Sequence, residues 1–539
     1  MNIQARRSNH LFLFSPSFFV MMILVLSTFL GKFIDTASGQ PKSVVRIGMA
    51  GEIDPMSPND TVAMNTEGVI PHMFEQLVIA DMSMNIYPQL ATSWEVTSEG
   101  NLIFKLRRGV KFHDGTPFDA DAVKFSFDRI MNEKLKRWPM INPFFKSLEI
   151  LDTYTVKMNI KGPPSSALAV LAIRGHIESP TAVKKYGKDF GLHPVGTGHF
   201  KFVEWVPDQR VLLEANKDYW GGEPKISQVI FRPIPDTQSR LAMLEAGDLD
   251  VCIRPSLTEL TRIKAHPGLR MVDRPSATLF YIQFNAVKVP FNNKRVRQAI
   301  SYSVDRKGIV NSLLFGVAPV AETYAGSMVK YVVKYDIYPF NPEKAKNILG
   351  ELGWKPGKSG FLEKDGEVFK TAIVTPSGRY PMDRQIAEAI QAQLKKIGID
   401  AKVTILESAA FLKALLGDQK AKENAEFGMM IVIRPMGPDP DGAFGQHFHS
   451  NAIPPKGSNN SIYMNSEVDR LLDEATKTID EAKRGMIFRK VQDILNEDVP
   501  WLPIYVVPDY SAIKKELKGV GYRHPITPIT VQPDARWER

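Results

Sequence analysis

The sequence predicts a multi-lobed α/β protein. Three observations carry that expectation: apolar strands that directly follow one-faced helices, a soluble composition over 539 residues, and no linker to divide them. At roughly 100–200 residues per domain, the length allows about three units. Hydrophobic residues at 44% and charged residues at 24% exclude a disordered chain, a collagen-like repeat and a disulfide-stapled mini-domain. Residues 40–539 hold no low-complexity tract, internal repeat or Gly/Ser linker. Domains strung end to end usually show such a linker, so the chain is expected to thread between its domains in extended segments.

The N-terminus comes first. Arg6, Arg7 and His10 precede an uncharged apolar run over residues 11–30, and the small residues Ala37, Ser38 and Gly39 follow. A basic start, an apolar middle and a small-residue exit describe a secretory signal peptide, here spanning residues 1–39 and cleaved after Gly39. An uncleaved anchor is the competing reading, because about 20 residues suffice to span a bilayer. Pro16, Ser15 and Ser17 shorten the strongly apolar part and favour cleavage. The one cysteine, Cys252, excludes an intramolecular disulfide and reads as a buried small hydrophobe. No cysteine ends the apolar run, so a lipid anchor has no attachment point and a soluble periplasmic location is expected.

The elements then read in order. Residues 43–49, 102–106 and 155–160 are strands, and 121–130 is a helix with Val123, Phe127 and Ile130 on one face. Residues 200–205 and 210–214 flank a turn and form a hairpin. A helix over 239–246 stops at Gly247, with a strand at 249–253. Further one-faced helices cover 294–304, 383–397, 467–475 and 484–495. Residues 400–406 and 427–433 are apolar strands after helical stretches, the mark of a sheet buried on both faces.

Motifs of catalysis and cofactor binding are missing. There is no Gly-x-Ser-x-Gly elbow, no His-Glu-x-x-His and no phosphate-binding loop. Gly196-Thr197-Gly198 is half of a dinucleotide fingerprint, but it precedes a strand where the fingerprint should open a helix, so it reads as a turn. His447 and His449 would leave one face of an extended segment, yet a structural zinc site needs four ligands. Asp439 and Asp441 resemble the start of a calcium loop, interrupted by Pro438 and Pro440, and read as turn formers. No cofactor is expected and no metal site. The net charge of +9 falls to +7 without residues 1–39, and no Lys/Arg run exceeds two. That is not the footprint of a nucleic-acid-binding patch.

Several stretches are specific enough to identify a family. They are Leu90-Ala91-Thr92-Ser93-Trp94-Glu95, the run from Phe104 through Phe112-His113-Asp114-Gly115-Thr116-Pro117-Phe118, and Pro194-Val195-Gly196-Thr197-Gly198-His199-Phe200. Asn216-Lys217-Asp218-Tyr219-Trp220-Gly221-Gly222 and Phe291-Asn292-Asn293-Lys294-Arg295-Val296-Arg297 follow. In this order, from about residue 43 to the C-terminus, they resemble the extracytoplasmic peptide/nickel solute-binding proteins (family 5 type) that serve ABC importers. Most of these residues hold the fold: Asp119 and Asn293 are placed to cap helices.

The resemblance implies a two-lobed periplasmic-binding-protein fold, mixed sheets flanked by helices. It places lobe I at 40–80, 199–285 and 505–539, an inserted subdomain at 81–198 and lobe II at 286–504, with crossings near 276–285 and 501–507. It further implies a monomer that captures a small solute between the lobes and passes it unaltered to an ABC permease/ATPase complex at the inner membrane. Ligand residues are implied in the loop with Glu52 and Ile53, and in the loop with Ile433, Arg434, Met436 and Asp439. Met436 stands where peptide binders of the family place an aspartate for the peptide's amino group, which moves weight away from plain peptides. Arg434 suits a carboxylate or phosphate, Glu52 a cationic group, and Tyr281 and Trp138 apolar walls. The other readings are an exported hydrolase on the same scaffold and a sensor or chaperone-type binding protein.

Overall fold

The computed structural model describes residues 43–538, apart from 275, 277, 327, 438 and 524–527. The expected signal segment and its cleavage point lie outside the described residues.

Each of three sheets carries its own apolar core. The first has seven strands in the order Leu269–Arg274, Asp509–Lys514, Val251–Ile253, Val44–Met49, Gln228–Pro233, Arg210–Ala215 and Phe200–Val206. Val44–Met49 runs parallel to both neighbours, and Val45, Ile47 and Met49 are buried on it. The second sheet orders Asp400–Leu406, Lys370–Pro376, Met429–Pro435, Thr278–Phe284 and Trp501–Val506. A third, antiparallel sheet joins Ala91–Val96, Leu102–Leu106, Thr155–Ile160 and Phe145–Asp152 beneath the helix Ala120–Glu133.

The chain passes twice between the first two sheets. It leaves the first at Arg274 and enters the second at Thr278, then returns from Val506 to Asp509. The Val507 N–H donates to the Thr278 carbonyl at 2.9 Å, so the two crossings are tied to each other. Pairing directions then fix where strand ends fall. Leu269–Arg274 is parallel to Val251–Ile253, because both run antiparallel to Asp509–Lys514. Trp501–Val506 is likewise parallel to Met429–Pro435 across Thr278–Phe284. The carboxyl ends of the parallel strands of both sheets therefore point to the crossings, the edge where α/β sheets place ligands.

One expectation is corrected. Thr278–Phe284, placed in the first lobe up to residue 285, is an inner strand of the second sheet. Its run Leu279–Ile282 is fully buried, which an inner strand requires and a bare connector does not.

Local chemistry explains the ends of elements. The Asp119 carboxylate accepts the Ala122 N–H at 3.1 Å, and the Asn293 side chain accepts the Arg295 N–H at 2.9 Å. Gly247 ends Thr237–Ala246 in the left-handed region at φ 94°. The N–H groups of Asp248 and Leu249 both turn back to the Met243 carbonyl, which delays the next strand to Val251. Asp480 caps Glu481–Asp498 through the Lys483 N–H, so that helix begins before residue 484. Cys252 is buried, and burial pushes its thiol up to about 11.

Gly196-Thr197-Gly198 is a turn pressed against the end of the helix Met64–Met73. A Cβ on Gly196 would stand 2.1 Å from the Met73 carbonyl oxygen, and one on Gly198 2.5 Å from that of His72. This contact delivers two histidines to the C-terminal strand Thr530–Trp537. His72 Nε2 accepts the Val531 N–H at 2.9 Å, and His199 Nε2 donates to the Val531 carbonyl at 2.8 Å.

Burial lowers the pKa of His72 and His113 from 6.5 to about 4, and of His199 and His447 to about 3. The folded protein keeps these rings neutral, whereas the unfolded chain protonates them near 6.5. Stability present above that value is therefore lost as pH falls from 6.5 towards 4. Glu75 and Glu178, raised by burial, take up protons while folded and offset part of the loss. The expected result is a melting temperature that falls between about pH 7 and about pH 5, at roughly 2 kcal/mol per histidine before the offset. A melt that is flat or rises over that window contradicts it.

Candidate functional site

Strand register assembles the site. Arg434 lies opposite Leu279, and Tyr281 lies opposite Val432. Side chains alternate along a strand and match across a pair, so Arg434, Val432 and Tyr281 share one face. On that face Tyr281 stacks on Trp501 at 4.1 Å, and His447 meets the Trp501 ring edge-on at 5.6 Å. Burial drives the Tyr281 hydroxyl up to about 12, against the pull of the Arg434 charge. Burial first, then the Arg434 charge, keeps His447 neutral.

Arg434 is half-buried and has no ion pair among the described residues. Its Nε lacks a hydrogen-bond partner, and the Tyr281 hydroxyl faces the Arg434 guanidinium. The Thr375 hydroxyl, near the carboxyl end of Lys370–Pro376, is buried and unpartnered as well. An unsatisfied buried polar group costs about 1–3 kcal/mol. Val374 lies across from Met430, so Thr375 turns to the face opposite Arg434, and the Arg434 Nε and the Tyr281 hydroxyl stand together at the carboxyl edge without it.

The other sequence-predicted residues are spread around this edge. Glu52 is exposed in the loop after Val44–Met49, and its carbonyl accepts from Asn65 Nδ2 at 3.1 Å. Partial burial and the neighbouring Asp208 charge raise its carboxyl pKa. Ile53 is buried in the core of the first sheet. Ile433 points to the face opposite Arg434 and lies across from Phe280. Met436 is buried in the second-lobe core. Trp138 opens the short helix Trp138–Ile141 and packs on the core of the third sheet. Asp439 is buried: Oδ2 accepts the Gly442 N–H at 2.7 Å, while Oδ1 has no partner. Burial, then the Asp441 charge, raises its pKa.

The histidine pair departs from the extended geometry expected of it. Gln446–Phe448 is helical, following the wide turn Asp441–Gly445. His447 therefore turns inward, with Nδ1 3.0 Å from the Ala443 carbonyl, while His449 meets Asp473 at 3.3 Å. No group of three or more metal-ligating side chains occurs among the described residues.

Sequence reasoning missed a second charged cluster beside the Glu52 loop. Asn65 and Thr66 bind that loop, and Glu67 next to them holds both Arg137 and Arg174, the latter at 2.8 Å. Arg137 is fully buried, and burial followed by the Arg174 charge lowers it to about 10. Nothing in the local sequence around Arg137 or Arg174 announces this pairing, because its partners lie 70 and 107 residues away.

The profile of the bacterial extracellular solute-binding proteins, family 5 (middle region), matches residues 85–454. The chain belongs to this family. The glutathione-binding protein GsiB of Salmonella paratyphi A is 31% identical over 472 residues, covering 87% of this chain and 89% of the relative. The structure of NikZ from Campylobacter jejuni with Ni(L-His) superposes with a TM-score of 0.72 at 26% identity, covering 90% of this chain and 97% of NikZ. That of HbpA2 from Haemophilus parasuis gives 0.80 at 28%, covering 92% and 99%. The fold of this family 5 member is that of the two-lobed periplasmic binding proteins, and it is a solute-binding component of an ABC importer.

Replacing Glu67 by glutamine leaves the buried Arg137 and the half-buried Arg174 without the acid that holds both. The expected outcome in urea denaturation is a loss of roughly 3 kcal/mol. A change below about 1 kcal/mol would show that the cluster is solvated.

Proposed function

We propose that this family 5 protein captures a small organic solute that carries a carboxylate, peptide-like in class, at the crossings, and that Arg434 receives the carboxylate. The observation that carries the reading is the half-buried Arg434, whose Nε has no hydrogen-bond partner and whose charge has no ion pair among the described residues. Fork-to-fork pairing with a carboxylate would satisfy it. Relatives support the class: glutathione and the histidine of Ni(L-His), named for two of them, both bear carboxylates. Glu52 would face a cationic group of the ligand across the cleft. Ile53, Trp138, Tyr281, Ile433 and Met436 would form apolar walls. Asp439 is the acid left in a loop whose Met436 carries no charge.

The solute is released unaltered, with no bond broken. Closure of the lobes about the two crossings would bury it, because the ligand binds the closed form more tightly. The bounds that fit the strand membership are 43–80, 199–274 and 509–538 for the first lobe, 81–198 for the insert and 278–506 for the second. The protein works as a monomer outside the inner membrane, delivering to a permease there. Among the described residues no helix is long and apolar enough to cross a membrane.

Calorimetry with glutathione and a panel of dipeptides tests the reading. Arg434→Ala is expected to weaken binding by about 10- to 100-fold, the loss of a charged hydrogen-bonded pair, with little change in ligand-free melting. A ligand whose carboxylates are blocked as amides should bind weakly to both proteins. Unchanged affinity in Arg434→Ala would overturn the proposal.

A further inference from the structure

A cavity of about 710 Å³ that neither Arg434 nor Tyr281 lines lies between the inserted subdomain and the second lobe, with Pro440, next to Asp439, in its wall. Its insert side includes Met82, Met84, Trp94 and Leu168 with the polar Ser83 and Asn85 among them, and its second-lobe side includes Met328 and Val329. Small-molecule sites of this size, about 300–1,000 Å³, are apolar with few polar groups. Three methionines make the walls adaptable, because an unbranched thioether side chain repacks around differently shaped partners.

The ionised groups on the walls are already neutralised. Lys330 pairs with Glu481, and Arg484 pairs with Asp441. Arg484 also donates to Ser165 Oγ at 3.2 Å and to Ser166 Oγ at 2.9 Å, so its charge is spent on closing the two walls together. No cation or anion on the walls is left over for a charged ligand, in contrast to Arg434. The charge pattern therefore selects an uncharged occupant.

We propose that this cavity is a second binding site, for a neutral, largely apolar small molecule, separate from the carboxylate site. Its walls come from both sides of the interlobe contact, so the site is complete only when insert and second lobe meet. An occupant therefore favours the closed form, and by linkage it raises affinity at the first site while the first ligand raises affinity for it.

The test is a fluorescence titration of the full chain with the neutral dye N-phenylnaphthylamine. Wild type should show saturable enhancement with one-site stoichiometry. Met84→Asp places a charge in the wall at a residue whose backbone sits at φ 62°, a conformation that aspartate tolerates well. Ala169→Trp fills the cavity from the helix Pro164–Arg174. Each variant should weaken dye binding at least tenfold while keeping glutathione binding and melting close to wild type. Arg434→Ala should keep the dye and lose glutathione, which separates this proposal from the carboxylate reading. Absence of saturable binding, undiminished binding in both wall variants, or loss of the dye in Arg434→Ala would each overturn it.

Discussion

The constraint on which the rest depends is the pair of chain crossings between the two large sheets. Arg274 and Asp509, register partners in the first sheet, stand immediately before one crossing and after the other. Arg274 Nε donates to Asp509 at 2.8 Å, and Arg254 reaches the same carboxylate at 3.3 Å. Burial alone would raise the pKa of Asp509; Arg274 and Arg254 outweigh it and hold it below the usual range. The base of the crossings is thereby locked to the first sheet. A hinge of two short segments moves one lobe as a body.

Charge then separates the regions of the molecule. Several buried cations are matched, Arg129 by Glu178, Arg137 by Glu67 and Arg484 by Asp441, while Lys422, buried with no ion pair among the described residues, is pushed down to about 7 by burial. Arg240, Arg297 and Arg306 are satisfied by backbone carbonyls. Arg434 is the exception among the half-buried residues of the carboxyl edge, and its neighbours are a phenol, a neutral imidazole and an indole rather than an acid. Low local polarity strengthens whatever pairs with it. This unpaired cation at the carboxyl edge is the basis of the proposed selectivity for a carboxylate.

Much of the fold was legible because it rests on local signals. The cap residues Asp119 and Asn293, the stop at Gly247 and the faces of Val123, Phe127, Val296 and Ile300 are short-range chemistry. Family motifs marked the same places: the His199 motif is the turn that clasps the C-terminal strand. The sheet to which Thr278–Phe284 belongs was not legible, since an apolar strand reads alike in either sheet. The inward turn of His447 followed from a helical turn after the proline-rich loop, where the sequence favoured an extended path. Pairings such as Arg484 with Ser165 and Ser166 join residues more than 300 apart and leave no local trace. For the site, the sequence singled out Arg434 and Tyr281. It missed the Trp501 stack and the cavity between insert and second lobe, which exist only once the sheets are assembled.

The central claim is that the two lobes close as a clamp about the crossings when the Arg434 site fills. Small-angle scattering of the protein, with and without glutathione at a concentration where calorimetry shows it bound, tests this directly. The radius of gyration should decrease on binding, with a profile that matches the closed arrangement. A bound glutathione with an unchanged radius of gyration would contradict it.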